Sequence, residues 1–299
     1  MSIFDKLVKK QLIKDYPGFL KNNVHYEVMM GSVAYGASSD TSDVDVYGFC
    51  IPPKHIIFPH LSGEIMGFGK QKSKFEQFQK HHINDDEERK EYDVTIYSII
   101  KYFQLCMQNN PNMIDSLFVP RRCILHSTQV GEHVREHRHT FLHKGAWHKF
   151  KGYAYSQVHK MKNKRPDKGS KREIGVQKYG YDLKFAYHVV RLLNEVEQIL
   201  IEHDLDLERN REQLKSIRRG EWKQEQIIKY FEDKEKDLEV LYVKSELPHS
   251  PDEDKIKSIL LECLEMHYGT ISDAIKSGVV VEKILDDMTD YINKLKLAL

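Results

Sequence analysis

Two neighbouring stretches determine the architecture: Gly31-Ser32-Val33-Ala34-Tyr35-Gly36 and Ser42-Asp43-Val44-Asp45-Val46-Tyr47-Gly48. Residues 24–30 lead into the first stretch and have the apolar content of a short strand, which the glycine at its end terminates. Residues 43–51 alternate between polar and apolar side chains, as a half-buried strand does. The pattern therefore predicts two β-strands separated by a Gly-Ser turn.

The second stretch places two carboxylates on one face of a strand. Side chains two apart project from the same face, so Asp43 and Asp45 lie side by side and repel each other unless a cation joins them. Mg²⁺ takes oxygen ligands of this kind and shares them with substrate phosphates. The turn at Gly31 and Ser32 supplies backbone amides and a hydroxyl suited to a terminal phosphate. A lone Asp-x-Asp is more often an exposed strand face, but the preceding turn favours a metal and phosphate site.

Composition sets the limits on the class of protein. The 299 residues include 46 Lys and Arg against 45 Asp and Glu, and 40% of the chain is hydrophobic, which is enough for a core. No apolar run approaches the ~18 residues of a membrane span, and the N-terminus lacks the apolar core of a signal peptide. The four cysteines form no C-x-x-C pair, which argues against thiolate zinc sites and disulfides and predicts a cytoplasmic protein.

The remaining patterns indicate an α+β chain with a mainly helical C-terminal region. We expect a core domain over 1–125 and a helical domain over 126–299. Serine at 250 has the position of a helix N-cap, with Pro251 after it. The individual predictions are helices over 3–14, 98–108, 182–203, 253–268 and 281–297, a third strand over 92–97, and a polar loop over 61–91.

Basic residues are concentrated in one segment. Residues 151–191 contain eleven Lys and Arg against three Asp and Glu, so the segment carries +8 while the whole chain carries +1. A local excess of this size indicates a polyanionic partner such as nucleotide phosphates or RNA, and we expect Lys160–Arg172 to contact RNA. The alternative is a solvated lysine-rich loop.

A helix beginning near Asp182 continues the basic segment. Its residues Lys184, His188 and Arg191 follow i, i+4 and i+7 spacing and share one face, which predicts contacts with a triphosphate or an RNA backbone. An ordinary solvated helix face is the alternative. Tyr181 and Tyr187 are suited equally to stacking on a base and to packing in the core.

A run of histidines offers a different kind of site. His133, His137, His139 and His143 have spacings that could chelate zinc, but cationic residues interrupt the run and no cysteine completes a ligand set. We therefore interpret the run as a polar helix that carries histidines.

The pattern G-S-x-A-Y-G…S-D-V-D-V-Y-G resembles the nucleotidyltransferase superfamily that includes DNA polymerase β. It is most similar to the predicted nucleotidyltransferases of the YcgL type from bacteria and phages, some of which are associated with RNA repair. The resemblance covers about residues 25–225 and continues in Asp93–Ser98, Asn110–Asn112, Tyr179–Leu193 and Ile217–Glu221.

The resemblance implies a polymerase-β-like core, a small mixed sheet with flanking helices. It implies that Asp43 and Asp45 bind two Mg²⁺ or Mn²⁺ ions, with Asp93 as the third carboxylate and Glu91 as the alternative to Asp93. It also implies that the first motif binds the nucleotide. Together with the basic helix that begins near Asp182, the predicted nucleotide-binding residues are Gly31, Ser32, Tyr35, Gly36, Lys184, His188 and Arg191.

The leading hypothesis is an enzyme that transfers a nucleoside monophosphate from an NTP to an acceptor hydroxyl and releases pyrophosphate. The +8 segment favours the 3′ end of an RNA as the acceptor. One alternative is transfer to a protein or small-molecule hydroxyl. Another is a non-catalytic nucleotide- or RNA-binding module on the same scaffold, against which the three carboxylates argue.

Overall fold

The computed structural model describes residues 1–37, 43–65, 67–69, 74–166, 168–169 and 171–269. Its centre is a five-stranded mixed sheet with the strand order β3-β4-β2-β1-β5. The strands are β1 Val24–Met29, β2 Val44–Cys50, β3 Gln77–Asp85, β4 Lys90–Ser98 and β5 Ile124–Ser127. The predicted α+β class is confirmed.

One strand pair in the sheet is parallel. β2 and β4 run in the same direction in a register that sets Asp45 opposite Asp93, whereas β1 is antiparallel to both β2 and β5, and β3 is antiparallel to β4. Parallel neighbours begin at the same edge of a sheet. The two aspartates therefore lie together near the start of their strands, at the edge where β1 ends.

Eleven α-helices lie in the described part of the chain. None of them has both the length and the apolar character that a membrane crossing needs. α6 and α10 pack against α8. The bounds are α1 Ile3–Lys9, α2 Lys54–Ile57, α3 Ile99–Met107, α4 Pro111–Phe118, α5 Gln129–Glu136, α6 Ala146–Asn163, α7 Lys171–Tyr179, α8 Leu183–Glu202, α9 Arg211–Arg218, α10 Gln224–Lys244 and α11 Glu253–Tyr268.

Alternation along the strands divides the buried side chains between two cores. Val46 and Val94 project towards α1 and pack in a smaller core with its residues Phe4 and Leu7. Side chains of the opposite face, such as Phe49, join the larger core that the remaining helices build. Because Asp45 and Asp93 are on the same face as Phe49, they lie on the side of the sheet that the larger helical region covers.

Several sequence-based boundaries are wrong for identifiable reasons. The predicted loop over 61–91 contains strand β3, whose polar side chains lack the apolar alternation of a half-buried strand because it is the outermost strand of the sheet. The helix predicted over 3–14 ends at Lys9, and Gln11 has a left-handed φ of 60°. The α11 N-cap is Asp252, whose carboxylate accepts the Lys255 N–H, and not the serine at 250. The helix predicted over 281–297 lies outside the described residues.

The proposed boundary at residue 125 falls inside β5, which pairs with β1 in the central sheet. The larger core contains Val28 of the sheet and Trp147 and Leu193 of the helices. The division into domains 1–125 and 126–299 stays a prediction.

A partly buried histidine pair joins the sheet to the last described helix. The Nε2 atom of His25 on β1 lies 2.9 Å from Nδ1 of His267 on α11, and its Nδ1 atom lies 2.9 Å from the Thr128 hydroxyl. Burial, with His267 and His126 nearby, lowers the pKa of His25 to about 4. Burial also lowers the pKa of His267. The junction is therefore made by uncharged imidazoles.

We expect the stability that this junction contributes to decrease on acidification. Because the His25 pKa is near 4 when folded and 6.5 when unfolded, the unfolded chain binds more protons over this interval. Wild type should lose about 1–3 kcal/mol of unfolding free energy relative to His25→Gln between pH 7 and pH 4. Urea unfolding of both proteins measures this difference.

The His25→Gln variant is needed as a reference because the buried Glu27 makes the protein more stable, and not less stable, as the pH falls. Comparing the two proteins cancels this contribution. Desolvation raises the pKa of this buried carboxyl to about 7, although it accepts the N–H groups of Ile3 and Phe4. A difference between wild type and His25→Gln that does not change with pH would contradict the assignment of a neutral histidine pair.

Candidate functional site

The centre of the candidate site is the in-register pair Asp45 and Asp93. Both side chains are partly buried on adjacent parallel strands. Burial raises the pKa of Asp45, and the neighbouring charges of Asp93 and Asp43 raise it further. Asp43 is exposed just before β2. The structure thus brings the three predicted carboxylates together, and the pair carries the electrostatic cost of two nearby anions.

The Gly-Ser turn closes over Asp45. The Met30 N–H donates to the Asp45 carbonyl at 2.7 Å, and the chain then makes a single helical turn over Gly31–Val33. Gly31 has a φ of 70°, and a Cβ atom there would lie 2.3 Å from Oδ2 of Asp45. Only glycine fits this position, so the predicted phosphate turn lies directly against the carboxylate.

A β-bulge positions the second carboxylate from the outer side. The register between β3 and β4 shifts between Lys80 and Ile83, so that His81 and His82 together lie opposite the single residue Asp93. Oδ1 of Asp93 accepts the His82 N–H at 2.8 Å, and its Oδ2 lies 3.1 Å from Nδ1 of His81. The sequence pattern predicts no role for these two histidines, because their contacts with Asp93 depend on the bulge.

Glu91 lies on the same face of β4 as Asp93, as an alternative third carboxylate must. Its Oε1 atom lies 2.5 Å from Nδ1 of His82, and this hydrogen bond raises the pKa of His82. Glu91 is thus paired with β3, whereas Asp93 is the residue in register with Asp45. The register favours Asp93 over Glu91 as the third carboxylate.

The basic end of α8 faces the acidic pair. Lys184 is exposed in the first turn of the helix, and its positive charge lowers the pKa of Asp45 against the effect of burial. His188, one turn further, is partly buried, and desolvation together with Arg191 and Lys184 holds its pKa well below the ordinary value. The structure therefore places the charge of Lys184 near Asp45, and a neutral imidazole one turn further along the same helix.

Arg191 does not lie where the spacing predicted. It is buried, and its Nη1 atom contacts a carboxylate oxygen of Asp115 and lies 3.4 Å from Oε1 of Glu195. The face that starts in solvent at Lys184 enters the core one turn beyond His188. Because its charge is paired inside the protein, the expected exposure of Arg191 is not observed, and its role as a nucleotide ligand stays a prediction that these contacts do not support.

Tyr35 is likewise a buried contact and not an exposed nucleotide ligand. Its hydroxyl donates to Oδ2 of Asp115 at 2.6 Å and accepts a hydrogen bond from Arg191, whose guanidinium lies 4.5 Å from the Tyr35 ring centroid. A Cβ atom on Gly36 would lie 2.8 Å from Oε1 of Glu208. The second half of the motif thus packs against the helical region.

Two further arginines hold the same segment. Arg122 donates to the Val33 carbonyl at 3.2 Å and to Glu208 at 2.6 Å, and Arg218 donates to the Ala37 carbonyl. With Tyr35, these contacts attach residues 31–37 to the helical region at three points. The segment that carries the predicted phosphate turn is therefore held by the buried contact of Tyr35 and by two exposed arginines.

Two buried acids are absent from the residues that the sequence pattern predicts for the site. Asp115 on α4 and Glu195 on α8 face a single cation, and burial raises the pKa of Glu195 well above its ordinary value. One guanidinium balances one carboxylate, so Glu195 is the neutral member. The i, i+4 spacing of Arg191 and Glu195 was a signal for this pair, whereas Asp115 is distant in sequence and had none.

The two aromatic residues whose roles were left open pack in the core. The Tyr181 hydroxyl donates to the Trp222 carbonyl at 2.5 Å, and Tyr187 lies between Tyr35 and Arg218. Both side chains are buried. Of the two interpretations, core packing is the one that the structure supports.

The histidine run has separate partners for its members. His133 contacts Glu262, His137 contacts the His133 carbonyl, and His139 contacts Asp204. His143 contacts the Met107 carbonyl. Within the described part of the chain, no three of these residues form a ligand cluster. The interpretation as histidines on polar helices is the one that agrees with these contacts.

The basic residues at the start of the predicted RNA segment are exposed. Lys160 and Lys162 lie at the solvent-facing end of α6, and Lys164 and Arg165 follow it. Lys164 and Arg172 lie 6.0 and 5.1 Å from the centroid of the Phe185 ring, next to Lys184. The basic surface therefore continues towards the acidic pair.

Comparison with known proteins gives one strong match. The model of a family described as the RNA repair pathway DNA polymerase beta family matches residues 5–257. A solved nucleotidyltransferase-like protein from Exiguobacterium sibiricum 255-15 aligns with 86% of this chain and 77% of its own, with a TM-score of 0.29 and 8% identity. A likeness this remote carries no argument of its own. No curated protein matches the chain.

We expect Arg191→Met to destabilise the protein, because it leaves a buried carboxylate of Asp115 without its cation. The unfolding free energy should fall by about 3–5 kcal/mol. Denaturant unfolding measures this, and the exposed Arg165→Met variant is the control, with an expected change within about 0.5 kcal/mol. Equal effects of the two substitutions would show that the buried pair contributes nothing.

Proposed function

The chain belongs to the RNA repair pathway DNA polymerase beta family, and from this membership we propose that it is a metal-dependent nucleotidyltransferase. It would move a nucleoside monophosphate from an NTP to an acceptor hydroxyl. The observation that carries the proposal is the in-register pair of Asp45 and Asp93, with the turn at Gly31 packed against it and Lys184 facing it.

The carboxylates fit the ions that the family implies. Asp43, Asp45 and Asp93 offer hard oxygen ligands, which Mg²⁺ and Mn²⁺ prefer. Desolvation and two neighbouring anions act on Asp45, so positive charge is favourable at this point. When bound, two such ions would stabilise the charge that develops on the attacking and leaving oxygens.

The chain's own groups would bind and orient the triphosphate. The amides of Gly31 and Ser32, with the Ser32 hydroxyl, would hold its terminal phosphates. Lys184 would add a point charge, and the neutral His188 imidazole would donate one N–H. A bond forms between the acceptor oxygen and the α-phosphorus as the bond from that phosphorus to the bridging oxygen breaks. Pyrophosphate leaves, and the hydroxyl proton passes to water.

We infer an RNA acceptor from charge and from family. The exposed Lys160–Arg165 stretch continues towards Lys184, and the family is described by an RNA repair pathway. A long polyanion could lie along this surface with its 3′ end at the carboxylates.

The four cysteines are free and buried, which favours the cytoplasm as the compartment.

A transfer assay tests the function. The protein is incubated with each α-labelled NTP, Mg²⁺ or Mn²⁺ and total RNA, and Asp43→Asn is run in parallel. Metal-dependent label on RNA that is absent with the variant is the expected result. Label on protein or on a small molecule would identify another acceptor. No label in any fraction, with nucleotide still bound, would support the non-catalytic binding module.

We expect Asp45→Asn to separate activity from stability. The substitution removes an anionic ligand and should lower transfer by at least about 100-fold. It also removes the repulsion with Asp93, so the unfolding free energy should stay the same or rise. Transfer rates and denaturant unfolding measure the two effects, with the exposed Asp86→Asn variant as the control. Near-normal turnover by Asp45→Asn would exclude the assigned role.

We expect the basic stretch to control the salt dependence of RNA binding. Removing a lysine that binds one phosphate should reduce the slope of log K against log salt by about 0.7 for single strands. Fluorescence anisotropy with a labelled RNA measures the slope. The triple Gln variant is made at Lys160, Lys162 and Lys164, and its control at the exposed Lys229, Lys236 and Lys255. Equal slopes for the two triple variants would show that the stretch is a solvated surface without a specific role in RNA binding.

A further inference from the structure

A second group of potential metal ligands lies on the outer side of Asp93. His82, Glu91 and Asp93 each offer one ligand atom, and these atoms all lie within 4.8 Å of one another. Nδ1 of His82 lies 2.5 Å from Oε1 of Glu91. Asp45 is not a member of this group, because it lies across β4 on the strand β2.

The bulge in β3 creates this convergence. Glu91 and Asp93 are two apart on β4 and share a face, and the register shift brings two consecutive histidines to that face. His82 has a φ of 54°, in the left-handed region, and its side chain is 81% exposed. An ion from solvent can therefore reach the imidazole and both carboxylates.

We propose that His82, Glu91 and Asp93 bind one divalent transition-metal ion, for which zinc is the best match. One imidazole and two carboxylates form the mixed nitrogen and oxygen set that zinc accepts, whereas Mg²⁺ prefers oxygen alone. Three protein ligands leave a fourth position for water.

The distances agree with such a site. Zinc bonds of about 2.0–2.2 Å hold neighbouring ligand atoms about 3–3.5 Å apart. The three ligand atoms lie between 2.5 and 4.8 Å from one another, so small side-chain rotations suffice. His81, 3.1 Å from Asp93, would orient that carboxylate from outside the ligand set.

The site rests on its own geometry and not on the proposed function. It shares Asp93 with the proposed catalytic carboxylates, but two of its three ligands are outside them. An ion here would cross-link β3 to β4 and fix the Asp93 carboxylate from the side opposite Asp45. Loss of this site in a variant is therefore detected by measuring metal binding, and the measurement does not depend on nucleotidyl transfer.

The site is tested in the full chain by adding Co²⁺ and recording its visible absorption. Added Zn²⁺ should displace the Co²⁺ and remove this absorption. Wild type should show the intense visible bands of a four-coordinate Co²⁺ ion, and His82→Ala and Glu91→Gln should each weaken the binding that produces these bands at least about tenfold. His139→Gln is the matched control, because His139 forms a 2.9 Å pair with Asp204 that belongs to no three-ligand cluster among the described residues.

Two outcomes would overturn the site: no Co²⁺ bands with wild type, or unchanged binding by both ligand variants. Circular dichroism of each variant confirms that the fold is kept, and two independent ligand variants guard against a single misfolded one. A protein that binds Co²⁺ as expected but transfers no nucleotide would contradict the proposed function and leave this site intact.

Discussion

The buried contact between Arg191 and Asp115 holds the helical region and the candidate site in one arrangement. It joins α8 to α4, and Tyr35 adds the segment after β1 to the same cluster. Charges removed from water in this way are stable only when they are paired and hydrogen-bonded. The cluster therefore fixes the segment of residues 31–37, and with it the position of the Gly31 turn against Asp45.

Charges removed from water need opposite charges nearby, and this requirement is met at one end of the segment of residues 31–37 but not at the other. In the core, one guanidinium balances Asp115, and Glu195 stays neutral because burial raises its pKa. At the sheet edge, Asp45 and Asp93 lie side by side and the exposed Lys184 opposes them only partly. The balanced charges inside the protein hold the frame. We propose that the excess of negative charge at the sheet edge binds cations and the phosphates that accompany them.

The sequence was sufficient where local pattern decides the structure. Alternation located β2, and the spacing of Asp43 and Asp45, with the Gly-Ser turn before them, located the acidic edge. Helical spacing failed at Arg191, because periodicity reports which residues share a face but not how far along the helix that face remains in solvent. Strand β3 was missed because an outermost strand needs no apolar alternation. Asp115 and the bulge at His81 depend on contacts between distant segments, which a single sequence does not reveal.

A crystal structure with Mn²⁺ and a non-hydrolysable NTP analogue would test the proposed site in one experiment. Anomalous scattering locates the manganese independently of the protein density. We expect manganese bound by Asp45 and Asp93 and shared with the triphosphate, whose terminal phosphates lie on the turn at Gly31 and Ser32. A nucleotide bound elsewhere, or manganese absent from Asp45, would contradict the proposed function.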